Sequence, residues 1–234
     1  MFFDWTYLYI VLPFVLLSLW ASTNVNSTFR RYADQHSIRR ITGAQAAQKV
    51  LSANGVTGVK IERISGNLTD HYDPRTNVIR LSDGVYDSTS TAAIGVACHE
   101  AGHAVQYAQS YAPIKLRAAI VPITNFASKL AMPLILLGIL LTFLESFSFT
   151  LVYLGIGCFG FAVVFQLITL PVEFNASRRA MQTIESANIL TDEEQNGARK
   201  TLTAAALTYV AATAVALAQL LRLLIIFGGR RRRD

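Results

Sequence analysis

Four long apolar stretches decide most of what this chain can fold into. Residues 7–23, 118–144, 149–170 and 201–227 are rich in Leu, Ile, Val, Phe and Ala and poor in charge. A run of ~20 such residues matches the hydrocarbon thickness of a bilayer. Within that layer a single segment satisfies its own backbone only as a helix. The chain is therefore expected to be multi-span and mainly α. Its polar residues fall in two blocks, 24–117 and 171–200.

The stretches differ in character. The first has Trp5, Tyr7 and Tyr9 near its start, aromatic residues of the kind that anchor a span at the interface. A cleaved signal peptide is the alternative reading. Ala21 and Ser22 suit a cleavage site, but no basic segment precedes the run. The second stretch contains Pro122, Lys129 and Pro133, so it is expected to begin at the interface and to span only from near Leu130. A polar break at 145–148 would make the second and third stretches a tight hairpin. Arg222 interrupts the last one, which then either crosses the membrane or lies embedded in it.

The net charge of +6 would suit a nucleic-acid partner if the cations lined one face. Instead, Arg230 to Arg233 form a terminal run and the others flank apolar segments, so the expected partner is a lipid bilayer and no nucleic acid. Arg30, Arg31, Arg39, Arg40, Lys115, Arg117, Arg178, Arg179, Arg199 and Lys200 place the polar blocks in the cytoplasm by the positive-inside rule. The terminal run argues the other way. Cys98 and Cys158 do not make a disulfide framework.

Within the first polar block, Thr42 caps a helix over 43–54 that Gly55 ends. Residues 59–64 and 78–82 have strand character, and 65–77 collects the Gly, Asn, Asp and Pro of a loop. Ser88 or Ser90 caps a further helix to about Ser110. That helix contains His99-Glu100-Ala101-Gly102-His103. Two histidines four residues apart project from one helix face and can fill adjacent corners of a tetrahedral zinc site. Glu100 points to the neighbouring side, where it can serve as general base to a zinc-activated water.

The bland alternative is an accidental match on a surface helix. Two of the four histidines falling in one pentapeptide, and the small residues Ala101, Gly102 and Ala104 where a surface helix would carry charge, count against it. Gln106 and Gln109 occupy the places where a metzincin has its glycine and third histidine, which excludes that type. By spacing, the third ligand is then His71 or an acidic residue such as Glu145 or Glu173. Glu173 directly follows the third span and begins an expected helix, where a carboxylate is also favoured simply by the helix N-terminus.

Ala97-Cys98-His99-Glu100-Ala101-Gly102-His103-Ala104-Val105-Gln106 and Pro171-Val172-Glu173-Phe174-Asn175-Ala176-Ser177-Arg178-Arg179-Ala180 resemble the YugP-type family of bacterial membrane zinc metallopeptidases. Asp70-His71-Tyr72-Asp73-Pro74 and Leu207-Thr208-Tyr209-Val210-Ala211-Ala212 extend the resemblance over nearly the whole chain. The arrangement is also similar to membrane gluzincins, in which the third ligand is the glutamate of a Glu-x-x-Ala-Asp pattern after a span.

The resemblance implies Glu173 as third ligand and one Zn2+ per chain, with Ser177 where the pattern has the aspartate that orients a histidine. It implies a small α+β zincin-like peptidase domain carrying the histidine motif on a helix, with strand 78–82 as the sheet edge beside the cleft, open to an extended peptide. The substrate would be a peptide or protein, membrane proteins included. His71 and Tyr209 are the candidates for a second donor to the oxyanion, against bland readings as a loop and a packing residue.

The expected organisation is a first transmembrane helix (1–23), a catalytic domain (24–117), a membrane hairpin (118–170), a polar segment with the third ligand (171–200), and a last apolar helix with a basic tail (201–234). The expected location is the bacterial cell (inner) membrane, multi-pass, with the catalytic domain on the cytoplasmic face. A zinc-stabilised membrane scaffold or adaptor is the competing function, and Glu100 disfavours it because a structural site needs no general base. A transporter is a distant third, since the spans hold few ionisable residues beyond Lys129 and Arg222.

Overall fold

The computed structural model describes residues 5–228, which form two compact units. An apolar unit comprises residues 5–20, 116–170 and 209–228, and a polar unit comprises residues 21–115 and 171–208. The protein is mainly α, with one small three-stranded sheet.

Among the described residues, four helices are long and apolar enough to cross a membrane: Tyr7–Ala33, Ala112–Leu140, Ser146–Ser186 and Asp192–Gly228. The first is α1 (Leu12–Ala33), preceded by a π-helical stretch, Tyr7–Val11. The others belong to α5 (Ala112–Leu140), α6 (Glu145–Ser186) and α7 (Asp192–Gly228). Three of the four outrun the apolar stretches that announce them, while Ala112–Leu140 starts six residues before its stretch and stops four short of its end. At 42 residues, α6 is roughly 60 Å long, about twice the ~30 Å hydrocarbon core of a bilayer.

Three boundaries differ from expectation. The break in the hairpin lies at Leu141 and a 3-10 turn, Thr142–Leu144, and the helix already resumes at Glu145. Polar residues there do not stop the helix because their hydroxyls find carbonyls: Ser148 Oγ donates to Gly138 O at 2.6 Å and Thr150 Oγ1 to Ser146 O at 2.9 Å. Pro171 removes one backbone donor from α6 without ending it, so Glu173 lies deep inside a helix and not at an N-terminus. Finally, α7 starts nine residues before the last apolar stretch, where Thr191 and Glu194 form a reciprocal capping box. It runs unbroken through Arg222, whose guanidinium lies 5.5 Å from the Tyr7 ring centroid. The run Arg230 to Arg233 lies outside the described residues.

In the apolar unit, α5 and α6 meet at glycines. A Cβ on Gly138 would lie 2.6 Å from Val152 Cγ2, and one on Gly155 would lie 2.8 Å from Ala131 O. Gly157 and Gly160 face open space and do not contribute. Ile135, Val152, Ile156, Leu223 and Phe227 make a small buried cluster.

The polar unit has a conventional core. It is built from α2 (Gly43–Ala53), α3 (Asp83–Tyr86), α4 (Thr91–Ala108), the sheet, and residues 171–208 of α6 and α7. Thr42 and Gln45 form the capping box of α2, and Gly55 follows at φ 66°, the left-handed conformation that suits glycine. The strands are β1 (Lys60–Ile64), β2 (His71–Asp73) and β3 (Val78–Ser82), in the order β1-β3-β2. β1 runs parallel to β3 with Lys60 opposite Val78, and β2 runs antiparallel with His71 opposite Arg80.

This order corrects two expectations. Strand 78–82 is the centre of the sheet, not its edge; both sides of β3 are occupied, so no peptide can add there. The edge beside α4 is β2, inside the segment expected to be all loop. Its turn residues close a hairpin: Asp73 accepts from Arg75 N at 2.9 Å and Thr76 Oγ1 at 2.8 Å, which returns the chain antiparallel.

Candidate active site

The site is built on α4. Ser90 caps it, its Oγ accepting from Ala93 N at 3.2 Å, and one helical face is lined by small residues. A Cβ on Gly102 would lie 2.6 Å from the carbonyl oxygen of Ala176, so the bare glycine lets α6 approach to backbone contact. Glu173, one turn before Ala176, is thereby carried to the two histidines.

Glu173 Oε2 lies 3.2 Å from His99 Nε2 and 3.4 Å from His103 Nε2. The carboxylate is 2% exposed and the two imidazoles meet edge to face with centroids 4.7 Å apart. One ligand atom from each residue lies within 4.8 Å of the others. Zinc bonds of ~2.0–2.1 Å at tetrahedral angles put adjacent ligand atoms roughly 3.3 Å apart, so the donor set and its spacing fit a zinc ion.

Each imidazole is also held from behind. His99 Nδ1 lies 3.0 Å from Ser177 Oγ, so a hydroxyl stands where the Glu-x-x-Ala-Asp pattern has its aspartate. His103 Nδ1 lies 3.0 Å from Oε1 of the fully buried Gln106. The Gln106 amide nitrogen donates to Val172 O at 2.8 Å and to Asn175 Oδ1 at 2.9 Å. Asn175 Oδ1 in turn accepts from Arg179 Nε at 2.7 Å. Burial alone would push the His103 imidazole down, but its hydrogen bond to Glu173 and the negative charges of Glu100 and Glu173 outweigh it and hold it above its ordinary value.

Glu100 is half-buried, and its Oε2 accepts from the backbone N–H of Tyr72, on β2, at 2.9 Å. Asp70 anchors the start of that strand by accepting from Ser82 N at 2.7 Å and from Ser82 Oγ. Burial pushes the Asp70 carboxyl up; the Ser82 hydrogen bonds pull it back and the charge of Glu100 adds to the rise. Cys98, beside His99, is wholly buried, and burial pushes its thiol up, which suits packing and not ligation.

His71 does not join this cluster: it is exposed, with Nδ1 2.8 Å from Thr69 O, and is not among the three grouped donors. Glu145 begins α6 and Tyr209 lies on α7.

Residues 7–228 match a family model described as "Putative neutral zinc metallopeptidase". The chain belongs to that family. It is also 48% identical over 221 residues to "Putative membrane protease YugP" of Bacillus subtilis (strain 168), covering 94% of this chain and 96% of that protein. No solved structure matches the chain. Family membership implies zinc, and two imidazoles with one carboxylate are a donor set that a catalytic zinc takes.

Sequence reasoning did not single out Tyr72, Gln106, Asn175 or Arg179 as parts of the site. A signal existed for Gln106, which follows His103 by three residues and so shares its helix face. None existed for Tyr72, which contributes only its backbone.

Proposed function

We propose that this protein is a membrane-embedded zinc metallopeptidase in which His99, His103 and Glu173 hold one zinc and Glu100 is the general base. The observation that carries the reading is the convergence of Glu173 on both histidines at 3.2 and 3.4 Å, across more than sixty residues of chain. When bound, zinc supplies the Lewis acidity that activates water and polarises the scissile carbonyl. Glu100 takes a proton on its free carboxylate oxygen and hands it to the leaving amine. Tyr72 N–H holds the other oxygen, so the base meets its substrate in one orientation. The substrate is a peptide or protein. The four long helices cross the cell membrane, and the polar unit lies on the cytoplasmic face.

The test is Glu100→Gln in the purified full-length protein. The variant should keep its zinc and lose about 10²–10⁴-fold in the cleavage of an unfolded protein. Cleavage at the parent's rate would overturn the assignment of the base. A zinc-loaded parent that cleaves nothing across a broad panel would transfer the reading to a metal-stabilised scaffold. Glu173→Ala should lose zinc outright, and full retention would remove Glu173 from the ligand set.

A further inference from the structure

Beyond the ligands themselves, the geometry points to Gln106 as the positioning residue for His103: it fixes which ring nitrogen faces the metal position, and its own orientation is fixed by Val172 and by Arg179 acting through Asn175. The inference rests on the ligand set proposed above.

Donor and acceptor chemistry fixes the orientation of both amides. A guanidinium can only donate, so the Asn175 atom 2.7 Å from Arg179 Nε is its amide oxygen. That same oxygen lies 2.9 Å from Gln106, so Gln106 presents its amide nitrogen there. The backbone carbonyl of Val172, 2.8 Å away, can only accept and demands the same nitrogen. Both N–H groups of the Gln106 amide are thus committed, and its oxygen is the atom left for His103 Nδ1 at 3.0 Å. An oxygen there requires Nδ1 to carry a proton. The neutral ring then has its lone pair on Nε2, the atom 3.4 Å from Glu173.

Two features make this more than packing. Gln106 is fully buried, so no water substitutes for a lost partner. Its two anchors, Val172 and Asn175, flank Glu173 on α6, so one amide ties the second histidine to the helix segment that carries the third ligand. The residue that orients a metal-bound imidazole is commonly a carboxylate, a backbone carbonyl or water; here a neutral side-chain amide does that work, and a distant arginine helps to hold it.

The test uses full-length protein in detergent, with zinc affinity measured by chelator competition and ligand geometry by the visible absorption of the Co2+-substituted protein. Gln106→Met keeps length and volume but cannot accept from Nδ1. It should weaken zinc binding by about 10–100-fold and change the cobalt spectrum. Asn175→Asp still offers an oxygen to both Gln106 and Arg179. It should stay within about threefold of the parent with an unchanged spectrum, whereas Asn175→Leu should fall between the other two. Parental affinity and spectrum in Gln106→Met would overturn the inference while leaving the zinc site standing. So would a loss in Asn175→Asp as large as in Gln106→Met, since donor polarity would then not be what matters. A parent that binds no zinc would overturn the ligand set, and this inference with it.

Discussion

The two units spend their apolar residues in opposite ways. In the apolar unit Phe126, Leu140 and Phe161 are 68%, 73% and 50% exposed. In the polar unit Leu51, Ile79, Leu81 and Ile94 are at most 1% exposed. Burying such a side chain gains ~1.5–3 kcal/mol in water, so a unit that turns them outward is stable only where its surroundings are themselves apolar. The lesson concerns the site as much as the membrane. Every residue that would hold zinc belongs to the unit with a packed core, where rotamers are locked, and none to the unit whose outward face is suited to lipid.

Charging the outward face breaks the comparison most directly. Phe161→Arg should cost ~2.5–3.5 kcal/mol of membrane insertion, measured as the fraction of protein recovered in the bilayer. Unchanged insertion would show that this face does not meet lipid. Next in size is the close approach that builds the site. Gly102→Val drives a side chain into the Ala176 carbonyl and should cost ~1–3 kcal/mol in thermal unfolding, with zinc affinity falling alongside. Gly157→Val, in open space in the apolar unit, should leave both unchanged.

A smaller, graded effect comes from pH. In the metal-free protein the His103 value is raised, so its ion pair with Glu173 stabilises the fold fully below the unfolded histidine value of ~6.5 and is lost as pH rises through the folded value. Metal needs that imidazole neutral, so the sign for zinc is opposite. Apparent affinity should fall by up to about 100-fold per pH unit well on the acid side, as one proton competes at each of the two imidazoles. A pH-independent affinity would remove both histidines from the ligands. The smallest effect belongs to the polar unit's surface. Ile38, 78% exposed, should accept Arg within about 0.5 kcal/mol. A cost as large as at Phe161 would erase the distinction between the two surfaces.

The contrast also explains what could be foreseen. Residues 7–23, 149–170 and 201–227 were legible as helices because apolar composition over twenty residues is a local property. So were the cap at Thr42, the narrowing of the α4 cap to Ser88 or Ser90, and the pairing of His99 with His103, since a four-residue spacing on a helix leaves one geometry. β2 was not legible. Three residues among turn formers carry no strand period, and pairing with β3 alone defines them. The central place of β3 was hidden for the same reason, because sheet order depends on partners distant in sequence.

The sequence by itself therefore determined three of the four membrane-length helices and a two-histidine face on α4 with Glu100 on its neighbouring side. The sequence resemblance named Glu173 and Ser177, but only the tertiary structure decided how they reach that face. The convergence of Glu173 on Nε2 of both rings depends on α6 reaching backbone contact at Gly102. So do the hydroxyl of Ser177 behind one ring and the amide of Gln106 between Val172 and the other. Helix periodicity relates residues one turn apart; which segment packs against that turn is set by shape and by buried donors that must find acceptors, and no local pattern records it.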